Sequence, residues 1–276
     1  MEDNIQNTDE AKIFLEKWKK DLKAIERDLV NLFTVRSDFE KLRKAVLAVK
    51  DIPPKDEAFV ISFKVFTNLV LMGYVAFIVM GIRRHIKFNE KSISILGLLE
   101  GIKKHPEYIS KSYFISLYHC EDIKPVGLWE SEEFKKISDE EKKAIDDRAK
   151  NEVKKMWKET AEKEWEELVR EGSDESLPPE VVEKDINELK GCVKDIENLA
   201  DKYIAHLDRK RGPSKVSLNI IDNGLSKIEK IYKKYSRLLT GSSFVSLEPV
   251  PQFNDQKFFD EFEKWLVEKL GKNTTE

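Results

Sequence analysis

From Val182 to Leu207 the residues Val182, Ile186, Leu189, Val193, Ile196, Ala200, Tyr203 and Leu207 alternate spacings of four and three without a miss. That period belongs to one face of an α-helix, so the stretch is expected to be a helix with a single buried stripe. Pro178-Pro179 opens it and Gly212-Pro213 ends it. A helix with one apolar face needs other apolar faces to cover it, and the rest of the chain supplies them. Residues 9–49 place Leu22, Ile25, Leu29, Leu32, Phe39 and Val46 near heptad spacing, with Arg36 and Arg43 interrupting the stripe, and end at the break Pro53-Pro54. Residues 217–239 repeat the pattern with Leu218, Ile221, Leu225, Ile228, Ile231 or Tyr232, and Tyr235. Short alternating runs rich in Val, Ile and Thr are almost absent, and only 11 Gly and 9 Pro serve 276 residues. The expected fold class is all-α.

Residues 65–82, VFTNLVLMGYVAFIVMGI, run without a charge and are followed by Arg83 and Arg84. Such a run just meets the length of a membrane-spanning helix with a positive flank. Thr67, Asn68, Gly73 and Gly81 dilute it and no second span exists, which favours a helix over about residues 56–88 buried on all sides in a large bundle. No membrane partner is therefore expected. After it, Ser92 caps a short helix through Leu99 and Ile102, which Pro106 stops. Residues 130–171 form an amphipathic, strongly charged helix or helix pair, partly projecting. The last helix carries Phe258, Phe259, Phe262, Trp265, Leu266 and Leu270, dense enough in aromatics to dock onto this fold or onto a partner subunit.

The formal charge of −3 excludes the strongly basic footprint of a dedicated nucleic-acid binder over the chain as a whole. Its distribution is uneven. Residues 130–185 hold 20 Asp/Glu and 12 Lys/Arg, whereas residues 202–237 hold 10 Lys/Arg and 3 Asp/Glu. The second stretch contains His206, with Lys202 one turn before it and Arg209 and Lys210 one turn after. His206 lies one position off the apolar stripe, at the border of core and solvent. There it serves as a packing residue, as a helix C-terminal cap favoured by the dipole, or as an acid-base group. Tyr203, Tyr232 and Tyr235 stand beside basic residues that could attract a nucleic acid, but their helical spacing assigns them to the core. No Gly-rich phosphate loop, Ser/His/Asp order or metal-spaced carboxylate cluster is present. His119-Cys120 lacks a second pair at ligand spacing, so neither a metal nor a cofactor is expected. Two cysteines, Cys120 and Cys192, make no disulfide framework, and the N-terminus MEDNIQNTDE is acidic and polar; a cytoplasmic protein without a signal peptide is the expectation.

The segment DKYIAHLDRKRG, followed by IYKKYSRLLTG and EPVPQF, resembles the HEPN superfamily in its abortive-infection, AbiU-type branch, as does the earlier run IRRHIKFNEKSISILGLLEGIKKHPEYIS. The resemblance implies a helical bundle over residues 51–276, with an N-terminal helical arm at 1–50 and a charged helical insertion at about 130–176. It further implies a phage-defence or toxin-type role on RNA, a frequent homodimer, and a cognate antitoxin as a partner. Many members are metal-independent ribonucleases with a motif of an arginine, four to six intervening residues and then a histidine. The histidine takes the ribose proton and the arginine stabilises phosphate charge. His206 matches the histidine. Leu199, Ala200 and Asp201 occupy the arginine's positions and none is cationic, so Lys202 and Arg209, or Arg83 and Arg84 across a helix pair, are the candidate substitutes; Lys210 joins them as a phosphate contact. The departure also leaves open a non-catalytic module that binds RNA or a protein.

Overall fold

The computed structural model describes residues 2–49, 57–89, 91–118, 138–169, 175–201, 218–249 and 253–270. Among these the fold is all-α, as expected, with no strand and one isolated bridge between Ser110 and Ser176. The helices are α1 (Glu2–Ala48), α2 (Glu57–Ile86), α3 (Ile95–Lys104), α4 (Lys111–Ser116), α5 (Asp139–Val169), α6 (Pro179–Lys190), α7 (Val193–Ala200), α8 (Leu218–Thr240) and α9 (Phe253–Leu270), with a 3-10 turn at Pro106–Tyr108. The chain forms two compact units, each gathered from separated stretches. The first comprises Met1–Lys19, Gly101–Asp185 and Lys234–Ser243; the second comprises Lys20–Glu100, Ile186–Lys233 and Phe244–Glu276.

In the first unit the start of α1 packs Phe14 and Trp18 against His105 and Tyr108, with the last two rings stacked 5.1 Å apart. Phe114 of α4 meets Trp165 of α5 at 5.6 Å. Only Ala161, Trp165 and Val169 of α5 are buried, so the first five turns of this charged helix stand in solvent. Asp185, 7% exposed, is satisfied by Lys234 at 2.7 Å and the Tyr235 hydroxyl at 3.0 Å. A buried carboxylate persists only with such partners.

The second unit is built around the later half of α2. Tyr74, Val75, Ile78, Val79, Gly81, Ile82, His85 and Ile86 are buried there: Tyr74 stacks on Phe39 of α1 at 3.8 Å, Gly81 meets Leu32 of α1, Ile82 meets Gly224 of α8, and the helix packs on α7. Gly81 and Gly224 permit this closeness. A methyl group at Gly81 would fall on the Leu32 side chain, and one at Gly224 would lie 3.3 Å from Ile82 Cδ1 and 3.5 Å from Ile196 Cδ1. Arg36, which interrupts the apolar stripe of α1, bonds Asp222 of α8 at 2.8 Å and pairs with Glu248. The C-terminal helix docks onto this same fold: Phe262, Leu266 and Leu270 of α9 pack with Val49, Phe59, Val60 and Phe63, and Phe259 lies under Lys41.

Three local expectations change. The stripe from Val182 is interrupted at Gly191-Cys192, where the Cys192 amide bonds Leu189 O, three residues back, and separates α6 from α7. Glycine is a poor helix former, and the tighter turn buries Cys192 while leaving Val193 half-buried. The cap of α3 is Ser94, whose hydroxyl accepts from the Gly97 amide at 3.0 Å, while Ser92 instead donates to Asn89 O. Finally, α2 is not buried on all sides. Ile61, Val65, Phe66, Leu69, Phe77 and Met80 are exposed, and only a third of its most apolar stretch is covered. Among the described residues α2 alone is long and apolar enough to cross a membrane. This two-sidedness fixes an outcome. Ile78→Ala should cost about 2–5 kcal/mol by emptying a packed site, whereas Ile61→Ala should fall within about 0.5 kcal/mol of wild type. Urea unfolding of the two variants measures the contrast.

Candidate functional site

The basic end of α2 is the described part of the expected site. In α1 the chain passes Leu32, the residue against Gly81, and one turn earlier reaches Asp28. In α2 the turn after Gly81 brings His85. The antiparallel register therefore sets Asp28 opposite His85, and Asp28 Oδ2 lies 2.9 Å from His85 Nε2. Its other oxygen, Oδ1, lies 3.3 Å from Arg84 Nη1. An ionised carboxylate only accepts, so Nε2 carries the proton in this bond. The His85 ring is 1% exposed, and its Nδ1 has no hydrogen-bond partner among the described residues. The hydrogen bond from His85 holds the Asp28 carboxyl below its ordinary range; burial opposes the shift, and the charges of His85 and Arg84 add to it.

Of the residues expected from the sequence, Arg83 and Arg84 are described. Arg84 is half-exposed and spends one face of its guanidinium on Asp28; Arg83 is half-buried and makes no ion pair among the described residues. Both sit in the last turn of α2, where the helix end favours cations. This end packs against α7, and Lys87 reaches Glu197 at 3.5 Å. His206, Lys202, Arg209 and Lys210 lie outside the described residues, as do Tyr203, Leu207, His119 and Cys120. Within α7 and just after it, the positions where an arginine would stand are resolved in detail. Leu199 is 5% exposed and Ala200 1% exposed, both in the core, and Asp201 is exposed. Tyr232 and Tyr235 are each 1% exposed, core residues as their spacing indicated.

A separate cavity of about 350 Å³ opens between α1 and α2, lined by Phe39, Val46, Thr67, Asn68, Leu71 and Leu218 among others, and neither Arg83 nor Arg84 lines it. Among the described residues no three His, Cys, Asp or Glu side chains converge as metal ligands. Asp28 and His85 are the residues that sequence reading missed. Their neighbours Arg83 and Arg84 mark the place, but no local pattern links a histidine to an aspartate 57 residues away.

The basic end of α2 thus lies, within an all-α fold, against the helix that precedes DKYIAHLDRKRG. Residues 53–257 match the family model HEPN_AbiU2, described as AbiU2, and the chain belongs to that family, a HEPN-like group associated with abortive infection. Comparison with curated proteins and with solved structures finds no match.

Because the folded-state pKa of Asp28 is depressed, its contribution is present above the unfolded value and is lost as pH falls through the folded one. Asp28→Ala leaves the His85 Nε2–H without its acceptor and should cost about 1–3 kcal/mol at neutral pH. The difference from wild type should shrink below about pH 4, the ordinary carboxylate range. Thermal unfolding across that range checks both the sign and the window.

Proposed function

We propose that this protein is a phage-defence effector of toxin type that acts on RNA at the junction of α2 and the chain leaving α7. The observation that supports it most is the packing of the Arg83-Arg84 end of α2 against α7, the helix whose chain runs on into Lys202, His206, Arg209 and Lys210. In this reading His206 takes the proton of a ribose 2′-hydroxyl, an imidazole being available in both forms near neutrality. Arg83 and Arg84 hold phosphate from one side, and Lys202, Arg209 and Lys210 hold it from the other. Arginine suits the task because its planar, permanently charged fork binds phosphate through two bonds.

One observation favours a second reading. Leu199 and Ala200 are buried, so no cation stands within the helix at the position where the motif of the family has one. A protein of this kind binds RNA without cutting it. His206→Ala separates the two: a cleaving enzyme loses cleavage by about 100-fold or more while retaining affinity, and a binding module shows no cleavage in either form. In both readings, affinity for a mixed RNA pool should fall steeply between about 50 and 200 mM salt. Arg83→Ala should reduce the slope by about one phosphate contact. Fluorescence anisotropy and gel analysis of labelled RNA supply the readouts, and absence of RNA binding at low salt would overturn both.

A further inference from the structure

The cavity between α1 and α2 has an apolar interior and a polar mouth. Its volume of about 350 Å³ is in the range of small-molecule sites. Phe39, Leu42, Val46, Val70, Leu71 and Leu218 line it half-buried, whereas Arg43 and Asn68 are its two exposed lining residues. The register of the helix pair places those two together. Leu32 meets Gly81, and seven residues on in α1 and seven back in α2 Phe39 stacks on Tyr74. The same step again sets Val46 level with Thr67, so Arg43 of α1 and Asn68 of α2 stand across the cleft within one turn of each other. We propose that this cavity binds a medium-chain aliphatic carboxylate, with the hydrocarbon tail inside and the carboxylate held at the mouth by Arg43 and Asn68.

The polar groups at the mouth have capacity left for such a head group. Arg43 Nε and Nη2 both reach one oxygen of Glu40, at 3.0 and 2.9 Å, which leaves the Nη1 donors of the guanidinium for a second carboxylate. A surface pair of this kind within one helix contributes little to stability and yields readily to a ligand. The Asn68 amide makes no hydrogen bond among the described residues, whereas the neighbouring Thr67 hydroxyl already donates toward Phe63 O and Lys64 O at 3.0 and 3.1 Å. An ionised carboxylate needs donors alone, and Arg43 and Asn68 supply them from the two helices. From Phe39 to Val46 the interior extends over a helix rise of about 10 Å, which a medium-length tail spans.

Other small molecules fit the cavity less well. A nucleobase carries several donors and acceptors on its edge, and the half-buried lining offers only the Thr67 side chain to meet them. One face of the Phe39 ring is also taken, since Tyr74 stacks on it at 3.8 Å and 5°. A neutral alcohol fills the interior but leaves Arg43 with Glu40 alone. The aliphatic carboxylate matches both parts of the cavity, its tail the apolar walls and its charge the cation at the rim.

Titration calorimetry of the full chain with sodium decanoate, kept below its micelle concentration, should give one site per chain with a dissociation constant of about 100 µM or below. Octanoate, shorter by two methylenes, should bind about 10-fold more weakly. Arg43→Gln removes the charge at the mouth; it should weaken decanoate by about 10-fold and leave the affinity for octanol unchanged. Leu71→Trp fills the interior and should abolish binding of both. Arg43→Gln alters an exposed side chain and keeps the fold, so its readout stands whether or not Leu71→Trp folds. Absence of decanoate binding at millimolar concentration, or an Arg43→Gln variant that binds decanoate as wild type does, would overturn the proposal. So would displacement of decanoate by adenosine monophosphate, or sedimentation of the wild type with phosphatidylglycerol vesicles that Leu71→Trp abolishes. None of these readouts involves RNA.

Discussion

The second unit depends on how closely four helices approach around Ile82. Gly81 admits Leu32 of α1, and Gly224 of α8 lies against Ile82 and Ile196, so at these two points a side chain of one helix rests directly on the backbone of another. Two glycines in helix interiors are costly in backbone freedom, by about 1 kcal/mol each. The burial they allow offsets that cost, since Leu29, Leu32, Ile78, Ile82, Ile196 and Ile228 are all 1% exposed or less. The approach also fixes a register. Once Leu32 sits over Gly81, the next turn of each helix brings Asp28 to His85, and a polar pair forms at the apolar interface, where a buried imidazole requires a partner.

That register explains how much of the fold could be read in advance. A regular stripe states which face is inside, and the stripes of α1, α6 and α8 were legible for this reason: Leu22, Ile25, Leu29 and Leu32, then Val182, Ile186 and Leu189, then Ile221, Leu225 and Ile228 are all buried. A helix apolar all round states no direction. The composition of α2 identified a helix and gave no sign that Ile78 would be covered and Leu69 open. The interruption at Gly191-Cys192 was hidden for a related reason: periodicity reports side-chain spacing, while the break lies in a backbone bond from Cys192 to Leu189 that apolar spacing does not encode. Ser92 and Ser94 are equally good caps by residue type, and only the chain path after Asn89 distinguishes them.

The site was legible where charge stood next to an apolar run. Arg83 and Arg84 end the longest uncharged stretch in the chain, so their position at a helix terminus followed from the sequence. Asp28 had no such mark. It belongs to a helix crowded with Asp, Glu, Lys and Arg, and what distinguishes it is which turn faces α2, a tertiary fact. His85 was overshadowed by its arginine neighbours, although it is the one of the three that is buried. The ordered imidazole resembles an acid-base dyad in its bonding, but its 1% exposure assigns it first to holding α1 against α2, with Arg84 positioned by the same carboxylate.

The burial of Leu199 and Ala200 carries the argument one step further. A guanidinium at either position would enter the core, where a charge is costly unless it is paired. Asp201, the third position, is acidic and exposed. The described cations across the helix pair from this helix are Arg83 and Arg84 in the last turn of α2 and Lys87 just beyond it, which reaches Glu197, and in the proposed site Arg83 and Arg84 serve the phosphate. A site assembled in this way is sensitive to the packing that assembles it. Where a motif on one helix keeps its arginine and histidine in fixed relation through backbone hydrogen bonds, charge supplied by α2 in the proposed site depends on tertiary packing, including the contacts of Ile82, Ile196 and Gly224 and the bond between Asp28 and Arg84. The glycines that close the core thus also set the distance over which the basic end of α2 can act.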